Sequence, residues 1–111
     1  MNLNRKSKFK INKEVVSCDL GEETAILNMK DGVYYGLNPV GTTIWKHIQN
    51  KESIGKITDK ILEEYSIDEE TCYADLIELV ENLLEKGLIT ILWNLLVWFK
   101  WFTMHMALIF I

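Results

Sequence analysis

Residues 30–45 read KDGVYYGLNPVGTTIW, and the parsing of this stretch decides the fold. Asp31-Gly32 is a turn signal, because glycine takes the positive φ that a tight hairpin needs. Val33, Tyr34, Tyr35, Gly36 and Leu37 then form a short return strand. Asn38-Pro39 ends it: asparagine caps the first free N–H groups of a helix, and proline at the first helical position has no N–H to leave unpaired. A strand therefore runs straight into a helix. Working back, TAILNMK (24–30) alternates, with Ala25, Leu27 and Met29 on one face and Ile26 and Asn28 on the other. INKEVVSCDL (11–20) carries a β-branched pair and is broken by GEE. The expectation is a three-stranded antiparallel meander.

Working forward, three helices follow. The first covers about 39–49, with Val40, Ile44 and Ile48 in one stripe and Trp45 beside it. The second starts at Ser53 and carries Ile54, Ile57, Ile61, Leu62 and Tyr65 at amphipathic spacing. The third opens on SIDE, where Ser66 and Glu69 have capping-box spacing, and stops at Lys86-Gly87. It has two apolar stripes: Cys72, Leu76, Leu79 and Leu83, and beside them Tyr73, Ile77, Val80 and Leu84. A surface helix usually needs one stripe about 100° wide. Either this helix is buried on two sides, or its second stripe faces something outside the chain.

Charge divides the 111 residues into three. Residues 1–13 hold five basic side chains and no acid, and 14–89 hold all 16 acids against six lysines. Residues 90–111 hold one charge, Lys100. The reading is a basic arm (1–10), an α+β body (11–89) with a three-stranded antiparallel sheet followed by a winged-helix-like three-helix bundle, and an apolar C-terminal helix (90–111). ILWNLLVWFKWFTMHMALIFI (91–111) matches the length of a bilayer span of about 20 residues. Lys100 opposes insertion by roughly 2.5–3.5 kcal/mol, against about ten apolar neighbours at roughly −0.3 to −0.6 kcal/mol each. A membrane span, a helix packed on a partner and the remnant of a longer fusion all fit. No secretory signal opens the chain, and Cys18 and Cys72 have neither a CxxC partner nor nearby histidines, so the body is expected in the cytoplasm, with membrane association through the tail under the first of those three readings.

No catalytic constellation emerges. There is no nucleophile beside a histidine, no metal-ligand spacing and no glycine-rich phosphate loop, so no enzyme, metal or cofactor is expected. A winged-helix nucleic-acid binder is disfavoured, because helix three carries Glu69, Glu70, Asp75, Glu78, Glu81 and Glu85, the wrong sign for phosphate. A binding module is left. A meander has two edges, and if VYYGL is one of them, lying along helix three, an extended peptide can add to it as a strand. The same edge could pair two copies of the chain. The competing reading is a membrane-anchored adaptor.

The residues TAILNMKDGVYYGLNPVGTTIW and SIGKITDKILEEYSIDEETCYADLIELVENLLEKGLI, within 11–89, closely resemble the PqqD-like family. These are the precursor-recognition domains of ribosomally made, post-translationally modified peptides. The resemblance implies binding of a precursor's leader region as a strand added between the third strand and the third helix, and delivery to a modifying enzyme. Pyrroloquinoline quinone assembly and radical-SAM systems use similar domains. A body this short looks most like the discrete recognition protein of split lasso-peptide systems, whose partner is a leader peptidase of transglutaminase-like fold. By position, the peptide-binding residues implied are Val33, Tyr34, Tyr35, Gly36 and Leu37, facing Tyr73, Ile77, Val80 and Leu84. Asp75, Glu78 and Glu81 would be available to basic leader side chains. The tail departs from the family pattern, in which free-standing members usually stop just after KGLI.

Overall fold

The computed structural model describes residues 3–92. Its elements are β1 (Lys8–Ile11), β2 (Val15–Leu20), β3 (Glu23–Asn28), β4 (Val33–Leu37), α1 (Pro39–Gln49), α2 (Ile54–Glu64), α3 (Glu69–Glu85) and β5 (Ile89–Leu92). β2, β3 and β4 form the expected antiparallel meander, and three helices follow it. Gly21 (φ 69°) begins the two-residue turn between β2 and β3. The β3–β4 loop has four residues, Met29–Gly32, and Gly32 at φ 72° closes it. Strand β3 thus ends two residues before the expected TAILNMK boundary.

β3 turns Thr24, Ile26 and Asn28 into the core and leaves Ala25 and Leu27 half-buried on the outer face. Helix α1 lies across the inner face. Trp45 is 1% exposed, and its Nε1 donates to Ser17 Oγ at 3.1 Å. Thr24 Oγ1 and Thr42 Oγ1 are 2.9 Å apart, joining β3 to α1 inside the core. Ile44, Ile48, Ile54, Ile57, Ile61 and Leu76 are buried around Trp45 and Phe9. The free N–H groups opening α2 go to the N-terminal segment: Ile54 donates to Ser7 O at 2.9 Å and Gly55 to Arg5 O at 2.8 Å. Among the described residues no buried side-chain nitrogen or oxygen lacks a partner.

Three further features differ from the sequence reading. The segment 11–20 is not one strand: Ile11 ends β1, and Val15 begins β2 after a turn in which Val15 N–H donates to Asn12 O at 3.0 Å. β1 pairs antiparallel with β5, from Lys8 opposite Leu92 to Ile11 opposite Ile89. The end of the basic arm and the start of the apolar tail are therefore joined in a two-stranded ribbon. Lastly, Asp68 rather than Ser66 caps α3, its carboxylate accepting from Thr71 N–H and Thr71 Oγ1, each at 2.8 Å. An anionic side chain at a helix N-terminus also meets the positive end of the helix dipole, which a serine hydroxyl does not exploit. The expected apolar C-terminal helix lies outside the described residues from 93 onward. Among the described residues no helix is long and apolar enough to cross a membrane.

Candidate functional site

Which backbone groups of β4 are free follows from one hydrogen bond. Met29 N–H donates to Glu14 O at 2.9 Å, so the odd-numbered residues of β3 bond toward β2. Neighbouring strand residues point their backbone groups in opposite directions, so Thr24, Ile26 and Asn28 bond toward β4. Their register partners are Leu37, Tyr35 and Val33. Val33, Tyr35 and Leu37 thus have their main-chain groups turned inward, while those of Tyr34 and Gly36 point away from the sheet. Val33 N–H also meets Asp31 Oδ1 at 3.0 Å. Among the described residues no strand covers this outer edge of β4.

Side chains alternate the other way. Tyr34 is 71% exposed on the outer face of the sheet, whereas Tyr35 and Leu37 are half-buried against the core. Beyond Leu37 the edge opens on a cavity of about 510 Å³. Gly36, Leu37, Val40 and Ile44 form its near wall and Ile61 and Ile67 its end, with Cys72, Asp75, Leu76 and Leu79 of α3 opposite. Asp75 is the one carboxylate in this lining, which is apolar apart from Asp75 and Asn38. Farther along, Lys86 Nζ stands 6.0 Å from the Tyr35 ring centroid. Leu37 thus shares the cavity with Cys72, Asp75, Leu76 and Leu79, and Tyr35 lies by Lys86, so strand and helix run antiparallel along a channel.

The helix-side residues of the expected site do not all face this channel. Val80 is 0% exposed and belongs to the core with Cys72, Leu76 and Leu83. Asp75, Leu79 and Lys86 sit at i, i+4 and i+11, on one flank of that buried stripe. Tyr73, Ile77 and Leu84 sit at i, i+4 and i+11 on the other, partly buried against the core. Tyr73 shares a recess with Arg5, Glu69 and Glu70, away from β4. Glu78 and Glu81 are exposed on the solvent side of the helix, so of the three acids named from sequence only Asp75 reaches the channel. Leu79, Cys72 and Lys86 are the residues the sequence reading assigned elsewhere. Their signal was present as the first stripe of α3, extended by one turn to the C-cap lysine.

Burial, then the Asp75, Asp68 and Glu69 carboxylates, push the Cys72 thiol above its ordinary pKa and keep it protonated. Among the described residues no three His, Cys, Asp or Glu side chains gather as a metal site.

Residues 23–89, from β3 to the first residue of β5, match the family model described as coenzyme PQQ synthesis protein D (PqqD). The chain belongs to the PqqD family. Among solved structures, TbiB1 in complex with the TbiA(beta) leader peptide is 35% identical, covering 72% of this chain and 93% of its own, with a TM-score of 0.70. Lasso peptide synthetase B1 complexed with the leader peptide is 20% identical over 75% of this chain and 98% of its own. Its TM-score is also 0.70, and it shares the PqqD-family fold. No curated protein matches the sequence.

Proposed function

We propose that this PqqD-family chain is a non-catalytic module that binds the leader region of a ribosomally made precursor peptide and delivers it to a modifying enzyme or a leader peptidase. The observation that carries the reading is the outer edge of β4. Tyr34 and Gly36 offer two N–H and two C=O groups to an added strand, directly beside an apolar cavity walled by Leu79 of α3. Similarity to TbiB1, solved with a leader peptide, supports the peptide partner and favours the lasso-peptide class. The protonated Cys72 thiol suits a wall better than a nucleophile.

The test is a fluorescence-anisotropy titration with a labelled leader peptide from a precursor encoded beside this gene. Micromolar or tighter binding is expected. Leu79→Asp places a charge in the channel and should weaken binding about tenfold or more, since burying an apolar side chain is worth about 1.5–3 kcal/mol. Ile77→Asp lies on the opposite flank and should bind as the parent does. A Leu79→Asp protein with native circular dichroism and unaltered affinity would remove the channel from the reading.

A further inference from the structure

One part of the surface runs against the acidic character of the body and plays no part in the channel. Lys6, Lys8, Lys10 and Lys13 are all exposed. None of them forms an ion pair within the described residues, whereas Arg5 is tied to Asp59 at 3.1 Å and Glu69 at 3.8 Å. The alternation in β1 buries Phe9 and turns Lys8 and Lys10 outward. Lys10 and Lys13 share a surface recess with Thr90. Lys8 is the register partner of Leu92, and directly paired residues carry their side chains on one face of a sheet. Past Leu92 the sequence holds a single charge, Lys100, together with Trp93, Trp98 and Trp101. The ribbon therefore fixes a lysine face at the root of the most apolar stretch of the chain.

We propose that this face is a contact for an anionic lipid surface. A basic cluster and an apolar segment are each weak membrane signals alone, and stable attachment takes two together. Each lysine near an anionic leaflet adds about fivefold to partitioning. Lipid suits the face better than nucleic acid does, because the sequence that follows Leu92 is the most apolar of the chain and has no use on a polyanion. A long polyanion would also run past the carboxylates of the body, where all 16 acids of the chain reside. The β4 edge is not used, so this proposal stands or falls independently of leader binding.

The experiment is flotation of the full chain with phosphatidylcholine vesicles, with and without phosphatidylglycerol. The parent should partition more strongly to the anionic vesicles, and added salt should erase the difference. Lys8→Gln/Lys10→Gln should lose about 25-fold on anionic vesicles and nothing on neutral ones. An unchanged circular dichroism spectrum and urea midpoint in the same variant would show that its fold is intact. Equal partitioning of the parent to both vesicle types, or a variant that keeps the parent's preference, overturns the proposal. Salt-dependent binding to duplex DNA without any vesicle preference overturns it in favour of a polyanion partner.

Discussion

Lys86 Nζ lies 6.0 Å from the centroid of the Tyr35 ring, so the C-cap of α3 is held over the middle residue of β4. The two walls of the channel thus meet at a second point, well away from the cavity beside Leu37. A lysine over an exposed aromatic face contributes about 0.5–1 kcal/mol. Lys86→Met keeps most of the packing stem and removes the charge, and it should lower unfolding free energy by about that amount in a urea titration. Tyr35→Phe keeps the ring face and should cost nothing through this contact. An unchanged urea midpoint for Lys86→Met would mean that the pair does not brace the channel.

The parity of β4 separates two proline substitutions. At Gly36 the N–H points out of the sheet, and proline is tolerated on an edge strand at such a position. Gly36→Pro should therefore fold, retain the native circular dichroism spectrum and lose leader affinity, because a main-chain donor to the added strand is gone. Val33→Pro removes a group directed into the β3 ladder, so its first effect should be on stability. If Gly36→Pro binds leader as tightly as the parent, strand addition at this edge is wrong.

Trp45 anchors the sheet to α1 through both its ring and its indole N–H. Trp45→Ala empties a site that is 1% exposed and should cost about 3–5 kcal/mol. That is a large share of the stability of a domain this small. Trp45→Phe keeps much of the apolar contact and forfeits the bond to Ser17 Oγ, a loss of about 1 kcal/mol before any packing change. Thermal melts of the two variants should fall in that order below the parent. Equal melting temperatures for both would show that the hydrogen bond, rather than the ring, dominates.

The same physics explains what the sequence disclosed. Asn38-Pro39, Ser53 and Gly32 act within a few residues of themselves, so the β4–α1 junction and the hairpin were legible locally. The β1–β5 ribbon was not, since Lys8 and Leu92 stand at opposite ends of the body and each strand has four residues. The outward lysines of β1 also hid the inward Phe9. On α3 the apolar arc was read at its true width, but width does not say on which flank the sheet edge lies. Placing Tyr73, Ile77 and Leu84 on the far flank required the sheet itself. For the cap, SID offers two competent residues two positions apart, and only the helix start chooses between them.

That choice has a pH signature. Bonds from Thr71 N–H, then from its hydroxyl, hold the Asp68 carboxyl below its ordinary pKa in the folded protein. The unfolded chain therefore takes up the proton first as pH falls, and the cap's contribution is lost through that window. It is fully present above the usual carboxylate pKa of about 3.9 and disappears as pH drops through the lower folded value. Asp68→Asn keeps a capping oxygen that does not titrate. The parent's stability advantage over this variant, measured by urea unfolding, should be constant near neutrality and shrink below about pH 4. A difference that does not change with pH would assign the cap no ionised character.

The two thiols should behave as opposites. Cys18 is exposed on β2, whereas Cys72 is 4% exposed, with Sγ 4.0 Å from Thr58 O at the floor of the channel. Reaction goes through the thiolate, and burial together with the nearby carboxylates raises the Cys72 pKa. Under native conditions near neutral pH, an aromatic disulfide reagent should release one equivalent rapidly and the second only on opening of the domain. Unfolding in urea should make both fast. Cys72 also borders the space proposed for the leader, so saturating leader should slow the second phase further and leave the first untouched, with Cys18→Ser identifying which phase is which. If leader instead protects Cys18, the peptide lies on the outer face of the sheet, beside Tyr34, and the channel between β4 and α3 is not its site.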